Sequence, residues 1–303
     1  MSIVQRPFAG ETDIQAMIAL ARRFPAEHLR VVDLPYRFSS WALDNPDNAA
    51  LWADADGQLL AWTVMQTPFW AIDITCHPDA EEDLHPCILD WADRRARDIL
   101  HTPYGRPMWF VNVFADQAIR IRHQEAAGFA AQTDVGEDSW AKVFMLHSGE
   151  TPVDERDLPP GFVLRPLAGQ REVDAYVELQ RAVFGSNNMT AEWRARTLRR
   201  PEYVPDLDLV AAAPNGRLAA FCICWLAEVP GLGGCGQVEP LGVHDDFRGM
   251  GLGRAILCEG LRRLRERGAT RICVETDRFR NAALGLYESA GFHVIRDVWV
   301  YRR

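Results

Sequence analysis

The sequence predicts an α+β protein made of two tandem copies of one fold, each a mixed sheet with helices packed on it. Three observations lead to this reading. The chain has 303 residues, more than one ordinary core needs, since domains tend toward roughly 100 to 150 residues. Its middle, Ser148 to Gly161, holds three prolines and no apolar periodicity, the pattern of an exposed connector. The segments on either side of that connector repeat one another in the same order.

The repeat is carried by three matches. Val4-Gln5-Arg6-Pro7-Phe8 corresponds to Val163-Leu164-Arg165-Pro166-Leu167 at an offset of 159, and an amphipathic helix pattern follows each. At the same offset, Gly57-Gln58-Leu59-Leu60-Ala61-Trp62 corresponds to Gly216-Arg217-Leu218-Ala219-Ala220-Phe221, where a turn enters an apolar strand. Near the end of each half, Glu125-Ala126-Ala127-Gly128-Phe129 corresponds to Glu288-Ser289-Ala290-Gly291-Phe292 at an offset of 163. Ordered self-similarity of this kind marks a duplicated unit. The expected division is a first domain over 1–148, a linker over 149–160 and a second domain over 161–303.

In the second copy the elements follow in order. A strand at 162–166 precedes helices within 170–184 and at 190–199. Strands at 207–213 and 217–228 form a hairpin about Asn215-Gly216. A strand at 235–243 leads to a helix at about 252–267, which Gly268 stops, and then to a strand at 271–276. A helix at 280–290 and a strand at 293–301 complete the unit.

Composition bounds the function. Hydrophobic residues make up 48% and charged residues 25%, close to folded soluble averages, so both halves should bury real cores. Neither a signal-like start nor an apolar run long enough for a bilayer is present, and the expected location is the cytoplasm, without a membrane partner. Seven scattered cysteines, none in a Cys-x-x-Cys pair, are expected as reduced thiols. The net charge of −9 is unevenly shared. Residues 1–150 hold 12 Lys and Arg against 22 Asp and Glu, a net −10, whereas 151–303 hold 21 against 20, a net +1. An acidic surface repels phosphate backbones, so nucleic acid is not the expected partner, and a cationic or neutral small molecule fits better.

The sharpest chemical signal is Arg248-Gly249-Met250-Gly251-Leu252-Gly253-Arg254, between a strand and a helix. Glycines let the main chain approach an anion, and the helix start offers unpaired N–H groups and a positive dipole. Arg248 and Arg254 can add charge-assisted bonds. A tight turn alone would not require this pattern, which reads as a pyrophosphate cradle. The dinucleotide fingerprint is a rival because Glu275 ends the following strand. Its spacing would require glycine at Arg254 or at Ile256, and the unit follows a hairpin instead of opening a parallel sheet.

These residues resemble the GNAT superfamily of N-acetyltransferases, whose acetyl-CoA loop reads R/Q-x-x-G-x-G/A. Arg248, Gly251 and Gly253 fit that pattern. Leu241, Gly242 and Val243, with His244 to Phe247, resemble the family's fourth strand, which pairs with the pantetheine arm; Asp245 replaces its usual loop proline. Ala283, Leu286-Tyr287 and Gly291-Phe292 match the family's downstream helix, although Arg280 stands where asparagine is usual and Asn281 comes one place later. The resemblance covers 161–303. It implies a mixed, mostly antiparallel sheet, acetyl-CoA as cosubstrate bound by residues 241–243, 248–254 and Asn281, and no metal.

Amine acetylation needs a base for the attacking amine and an acid for the leaving thiolate. The resemblance makes Tyr287 the acid, against the alternative of an aromatic packed on its helix. Glu239 is the candidate base, acting directly or through water, against a solvated or substrate-binding carboxylate. By even spacing its side chain is expected on the face of Leu241 and Val243. Pro240 beside it is expected to mark a bulge that splays the strand and opens an acetyl slot.

Weaker features fall to packing. Cys76, His77, His85 and Cys87 match no tight zinc spacing, and Cys222 and Cys224 should pack on one face of their strand. In the first half, alignment of His77 with His244 sets Glu81 in place of Arg248, Leu84 and Pro86 in place of the key glycines, and Gln124 in place of Tyr287. That half is expected to bind no acetyl-CoA. Seven of the ten tryptophans lie there and are expected to give structural support and part of an acceptor pocket.

The sequence reading is therefore transfer of acetyl from acetyl-CoA to a primary amine of a small molecule, by direct attack in a ternary complex. Tandem copies with one active half also resemble mycothiol synthases, which acetylate a cysteinyl pseudodisaccharide. A non-catalytic acyl-CoA sensor or interaction module is the alternative from another class. The acceptor and the oligomeric state are left open.

Overall fold

The computed structural model describes residues 3–133, 140–153 and 157–303; part of the expected linker, 154–156, lies outside them. The chain forms two compact units, Met1–Val143 with Arg296–Arg303, and Phe144–Ile295.

The first unit runs β1 (Val4–Pro7), α1 (Glu11–Arg23), α2 (Leu34–Phe38), β2 (Ala49–Ala53), β3 (Leu59–Gln66), β4 (Ala71–Cys76), α3 (Glu81–Ile99), β5 (Phe110–Phe114), α4 (Ala118–Ala126) and a short β6 (Ala130–Ala131). Strands β1 to β4 pair antiparallel in order, and β4 meets β5 in parallel only at Ala71 and Phe110. Met17, Leu34, Leu51, Trp62 and Val64 bury one face of this sheet under α1, and Trp62 Nε1 donates to the Met17 carbonyl at 2.9 Å. Tryptophans 52, 62 and 109 are core residues here, whereas Trp140 is exposed.

The second unit opens with the end of β7 (Ala141–Ser148), from Phe144 onward. It continues through β8 (Val163–Pro166), α5 (Val173–Phe184), α6 (Ala191–Arg199), β9 (Asp208–Ala212), β10 (Leu218–Val229), β11 (Gly233–Val243), α7 (Leu252–Glu266), β12 (Arg271–Asp277) and α8 (Asn281–Ser289), to the start of β13 (His293–Arg302). These bounds follow the sequence expectations closely because strong local signals set them. Gly216, at φ +82°, makes the β9–β10 turn, with Gly216 N–H donating to the Ala213 carbonyl at 2.8 Å. Gly268, at φ +89°, stops the chain beyond α7. Strands β8 to β11 are antiparallel, and β11 runs parallel to β12 only over Cys235–Gln237.

The same device recurs at the start of each repeat. Arg6 holds Asp13 through two hydrogen bonds of 2.9 and 2.7 Å, and Asp13 also accepts the Ala9 amide at 2.7 Å. Arg165 holds Glu172 at 2.8 and 2.6 Å, and Glu172 accepts the Ala168 amide at 2.7 Å. Each arginine thus ties its first strand to the following helical segment.

The compact units differ from the repeat boundaries 1–148 and 161–303 in their last strands. Val298 to Arg302 pair antiparallel with Phe114 to Phe110, which places the end of the chain in the first unit. In the second unit the neighbour of β12 is β7, and Gly149 N–H donates to the Thr270 carbonyl at 2.8 Å. Composition and motif spacing do not reveal this exchange, because strand partners distant in sequence leave no local mark.

Candidate active site

The candidate site of the second unit lies where β11 and β12 part. Beyond Gln237 their parallel pairing ends. On the other side of β11, Val238 stands opposite Cys224 and Leu241 opposite Cys222, so Glu239 and Pro240 together face Ile223 alone. This is the bulge expected at Pro240. It also corrects the expectation that Glu239 shares the face of Leu241 and Val243. The extra residue reverses the alternation, so Val238 takes Leu241's face and Glu239 the other. The Glu239 carbonyl accepts Trp225 Nε1 at 2.8 Å.

Cys222 and Cys224 do share a face, with sulfurs 3.7 Å apart. Helix α7 packs over them at Gly260, where a Cβ would lie 2.7 Å from the Cys224 sulfur. Among the residues named for the fourth strand, Gly242 has a packing reason of its own: a Cβ there would meet Val183 Cγ1 at 2.5 Å and Phe221 Cζ at 2.7 Å.

The turn after Val243 is shaped by local bonds. His244 Nδ1 accepts the Asp246 amide at 3.1 Å, and the Arg248 amide donates to the Asp245 carbonyl at 3.2 Å. Gly249 and Gly251 then take φ +75° and +82°, with no atom within 4 Å of where a Cβ would stand. A side chain in that left-handed region costs roughly 1–2 kcal/mol, so conformation demands glycine while the space beside it stays open. Gly251 caps α7, and its carbonyl accepts the Ala255 amide at 3.0 Å. The amides of Leu252, Gly253 and Arg254 precede that bond and have no acceptor within the helix. Glycines in open space before a helix start fit the diphosphate of acetyl-CoA.

The side chains of the loop divide the work. Leu252 is buried at 1% exposure, so only its main chain can serve a ligand. Gly253 stands beside Val243 and Leu286, with a Cβ position 3.3 and 3.6 Å from them, which brings α7 close to α8. Met250 is exposed. Arg248 is exposed on the loop and pairs with Asp245 at 2.8 Å. Arg254 donates to the Cys258 sulfur at 3.3 Å and to Ser289 Oγ, tying α7 to α8. Asn281 opens α8 and is exposed, while the preceding Arg280 pairs with Asp277 at 2.7 Å.

Tyr287 is 7% exposed, and its ring meets Phe292 edge-on at 5.6 Å. Burial, then the charge of Glu239, then Cys222 and Cys224 push its phenol well above the ordinary range, so it holds its proton at neutral pH. The pKa of Tyr176, a wholly buried phenol of α5, is raised first by burial, with Arg194 opposing and the charges of Asp208 and Glu239 adding to the rise. The structure thus brings Glu239 into the electrostatic reach of two protonated tyrosines.

Tyr176 belongs to a cluster that sequence reasoning did not find. The Arg194 guanidinium lies 3.8 Å over its ring, Arg194 pairs with Asp208, and Tyr203 donates to Asp208 at 2.6 Å. The available signal was an arginine beside Trp193 on the buried face of α6, at a position where an amphipathic helix carries an apolar residue.

Among the described residues the first unit has no such loop at the corresponding place. Helix α3 starts at Glu81, directly after a short turn at Pro78–Ala80. Glu81 accepts Arg120 Nε and Nη2 at 2.9 and 2.7 Å and lies 3.0 Å from His85 Nδ1. Burial works to raise the Glu81 carboxyl, but His85 and Arg120 outweigh it and hold it down at about 2. Leu84 and Gln124 are also buried. Of the weighed zinc candidates, Cys76 packs in an apolar cluster and Cys87 is exposed. Among the described residues no group of three His, Cys, Asp or Glu could share an ion, and no helix is long and apolar enough to cross a membrane.

Residues 173–292 match the family described as Acetyltransferase (GNAT) family. A mycothiol acetyltransferase of Salinispora tropica is 34% identical over 146 residues, covering 46% of this chain and 48% of the relative. The chain thus spans about half the length of the relatives it matches in sequence. Two solved structures share the fold over nearly the whole chain. A GCN5-related N-acetyltransferase from Sphaerobacter thermophilus has a TM-score of 0.67 at 20% identity, covering 99% of this chain and 95% of its own. A tandem GNAT protein from the clavulanic acid biosynthesis pathway has a TM-score of 0.67 at 13% identity, covering 100% and 98%. The glycine loop, the parted strands and the buried tyrosine helix all fall within the matched segment, so residues 173–292 carry the match to the GNAT acetyltransferase family.

Proposed function

We propose that this chain transfers the acetyl group of acetyl-CoA to the primary amine of a small molecule, by direct attack in a ternary complex. The observation that carries the reading is the succession along one segment of a bulged strand end, a left-handed glycine loop over open space, and a buried tyrosine. The main chain of residues 248–254 would hold the diphosphate, with Arg248 adding charge at the rim. Leu241, Gly242 and Val243 would pair with the pantetheine arm, and Asn281 would contact it from the start of α8.

Acetyl-CoA supplies an activated acyl group on a thiol leaving group. Glu239 takes a proton from the attacking amine, directly or through water, and Tyr287 gives its phenolic proton to the departing sulfur. The phenol is protonated at neutral pH, the form a proton donor needs. The catalytic copy is the second repeat. The first copy keeps the fold without an acetyl-CoA site, its Glu81 carboxylate buried against Arg120 where the loop arginine would stand in the other half. We place the protein in the cytoplasm.

The resemblance to a mycothiol acetyltransferase favours a second, narrower reading, with the amine of a cysteinyl pseudodisaccharide as acceptor. Thiol release from acetyl-CoA, assayed over a panel of amines that includes such a compound, tests both. Rapid release with one amine class supports transfer. Tight CoA binding with no release by any amine overturns it in favour of a non-catalytic acyl-CoA sensor.

A further inference from the structure

We propose that His147, which reaches the second unit on the strand ending the first repeat, is a positioning residue for Tyr287. The proposal rests on reading Tyr287 as the proton donor. His147 is fully buried, and its ring centroid lies 5.3 Å from that of Phe292 at an interplanar angle of 54°. Phe292 in turn meets Tyr287 edge-on at 5.6 Å and 70°. Three rings therefore run without a gap from β7 to the tyrosine of α8.

The main chain reinforces this stack. The Tyr287 carbonyl accepts the amides of Ala290 and Phe292 at 3.0 and 3.1 Å. Gly291, between them, takes φ +96°, and a Cβ there would lie 2.9 Å from Thr151 Cγ2 and 3.2 and 3.3 Å from His147 Cδ2 and Nε2. The glycine of the Gly-Phe pair is thus required twice, for its conformation and for the approach of His147. β7 is itself held in place. Gly149 N–H donates to Thr270 at 2.8 Å, and Arg265 Nη1 donates to the Thr151 carbonyl at 3.1 Å from α7.

Histidine is a costly choice for packing alone. Neither ring nitrogen has a hydrogen-bond partner among the described residues, and a buried unmade bond costs free energy that an apolar ring avoids. Burial, then the charges of Arg265 and His293, lower its pKa to about 4, so the ring is neutral at physiological pH. A flat, neutral ring at this place sets how far Phe292 sits back, and hence where the Tyr287 hydroxyl reaches. The first unit offers the parallel case: Tyr301, on the chain's last strand, shares one buried cluster with Phe129 of the other Gly-Phe pair.

The test uses the full chain with His147→Ala, His147→Phe and Tyr287→Phe. Thiol release with the best amine of the panel gives kcat and the acetyl-CoA KM, and calorimetry with CoA shows that each variant is folded. Each His147 change is also made in the Tyr287→Phe chain, where a residue that acts through the Tyr287 hydroxyl has nothing left to position. His147→Ala should lower kcat by roughly tenfold with KM unchanged, and by less than about twofold in the Tyr287→Phe chain. His147→Phe should restore kcat to within about threefold. A wild-type kcat in His147→Ala, or an equal loss in both backgrounds, would overturn the proposal. An unchanged kcat in Tyr287→Phe alone would instead remove the proton-donor role on which the proposal rests.

Discussion

Arg194 and Asp208 form an ion pair in which both side chains are 0% exposed. Arg194 Nε and Nη1 and Asp208 Oδ1 have no further partner among the described residues. The pair therefore depends on its own attraction, on the Tyr203 hydroxyl and on the Tyr176 ring face. Asp208→Ala strands a buried guanidinium and should cost about 3–5 kcal/mol, read as a lower urea midpoint. The double variant Arg194→Met with Asp208→Leu removes both charges and should recover most of that loss. A double variant as unstable as the single one would show that the pair itself contributes net stability.

Gly251→Ala puts a methyl group on a residue at φ +82° that faces open space. The cost is conformational, roughly 1–2 kcal/mol, and falls on the loop proposed to hold the diphosphate. CoA affinity measured by calorimetry should drop about tenfold or more, and the unfolding midpoint should fall by a few degrees as the same cost weighs on the folded chain. Equal affinity would detach this loop from the diphosphate.

Tyr287→Phe keeps the ring against Phe292 and removes only the hydroxyl. Loss of a general acid lowers kcat by about 10² or more, and the acetyl-CoA KM should stay near its original value. Glu239→Gln should lower kcat as well and raise the pH needed for turnover, because the amine must then lose its proton to solvent. Steady-state rates across pH separate the two roles.

Stability should fall in acid for a definite reason. His28 is pulled by burial, then by the Arg120 charge, from an ordinary 6.5 to about 3, and His147 from 6.5 to about 4. Below about 6.5 the unfolded chain takes up these protons and the folded chain does not, so stability is lost as pH falls toward 4 and then 3. Glu81, held at about 2 against an ordinary 4.5, adds a loss below 4.5 in the same direction. Urea midpoints should decline steadily from pH 7 to pH 4. His147→Phe should decline less over that range.

Removing residues 296–303 takes the antiparallel partner from β5, including the buried Val298, Val300 and Tyr301. The first unit should lose its cooperative unfolding. The second unit keeps the part of β7 from Phe144 onward and all the loop residues, so CoA binding should persist. Calorimetry of unfolding and of CoA binding on the truncated chain reads both.

Much of this protein was legible in its sequence because the signals are local. Asn215-Gly216, Gly268 and the glycine run at 249–253 act through backbone freedom within a few residues, and the repeat of Arg6 and Arg165 is visible as text. The bulge at Glu239–Pro240 was foreseen from proline, yet the face of Glu239 was misjudged, because parity counting fails once a residue is inserted in one strand. Tertiary structure alone decided which strand closes each unit, and so brought His147 behind Phe292. It alone paired Arg194 with Asp208 and Glu81 with Arg120 across 14 and 39 residues of chain. Those choices depend on side chains distant in sequence meeting where water is excluded, and no local pattern encodes that meeting.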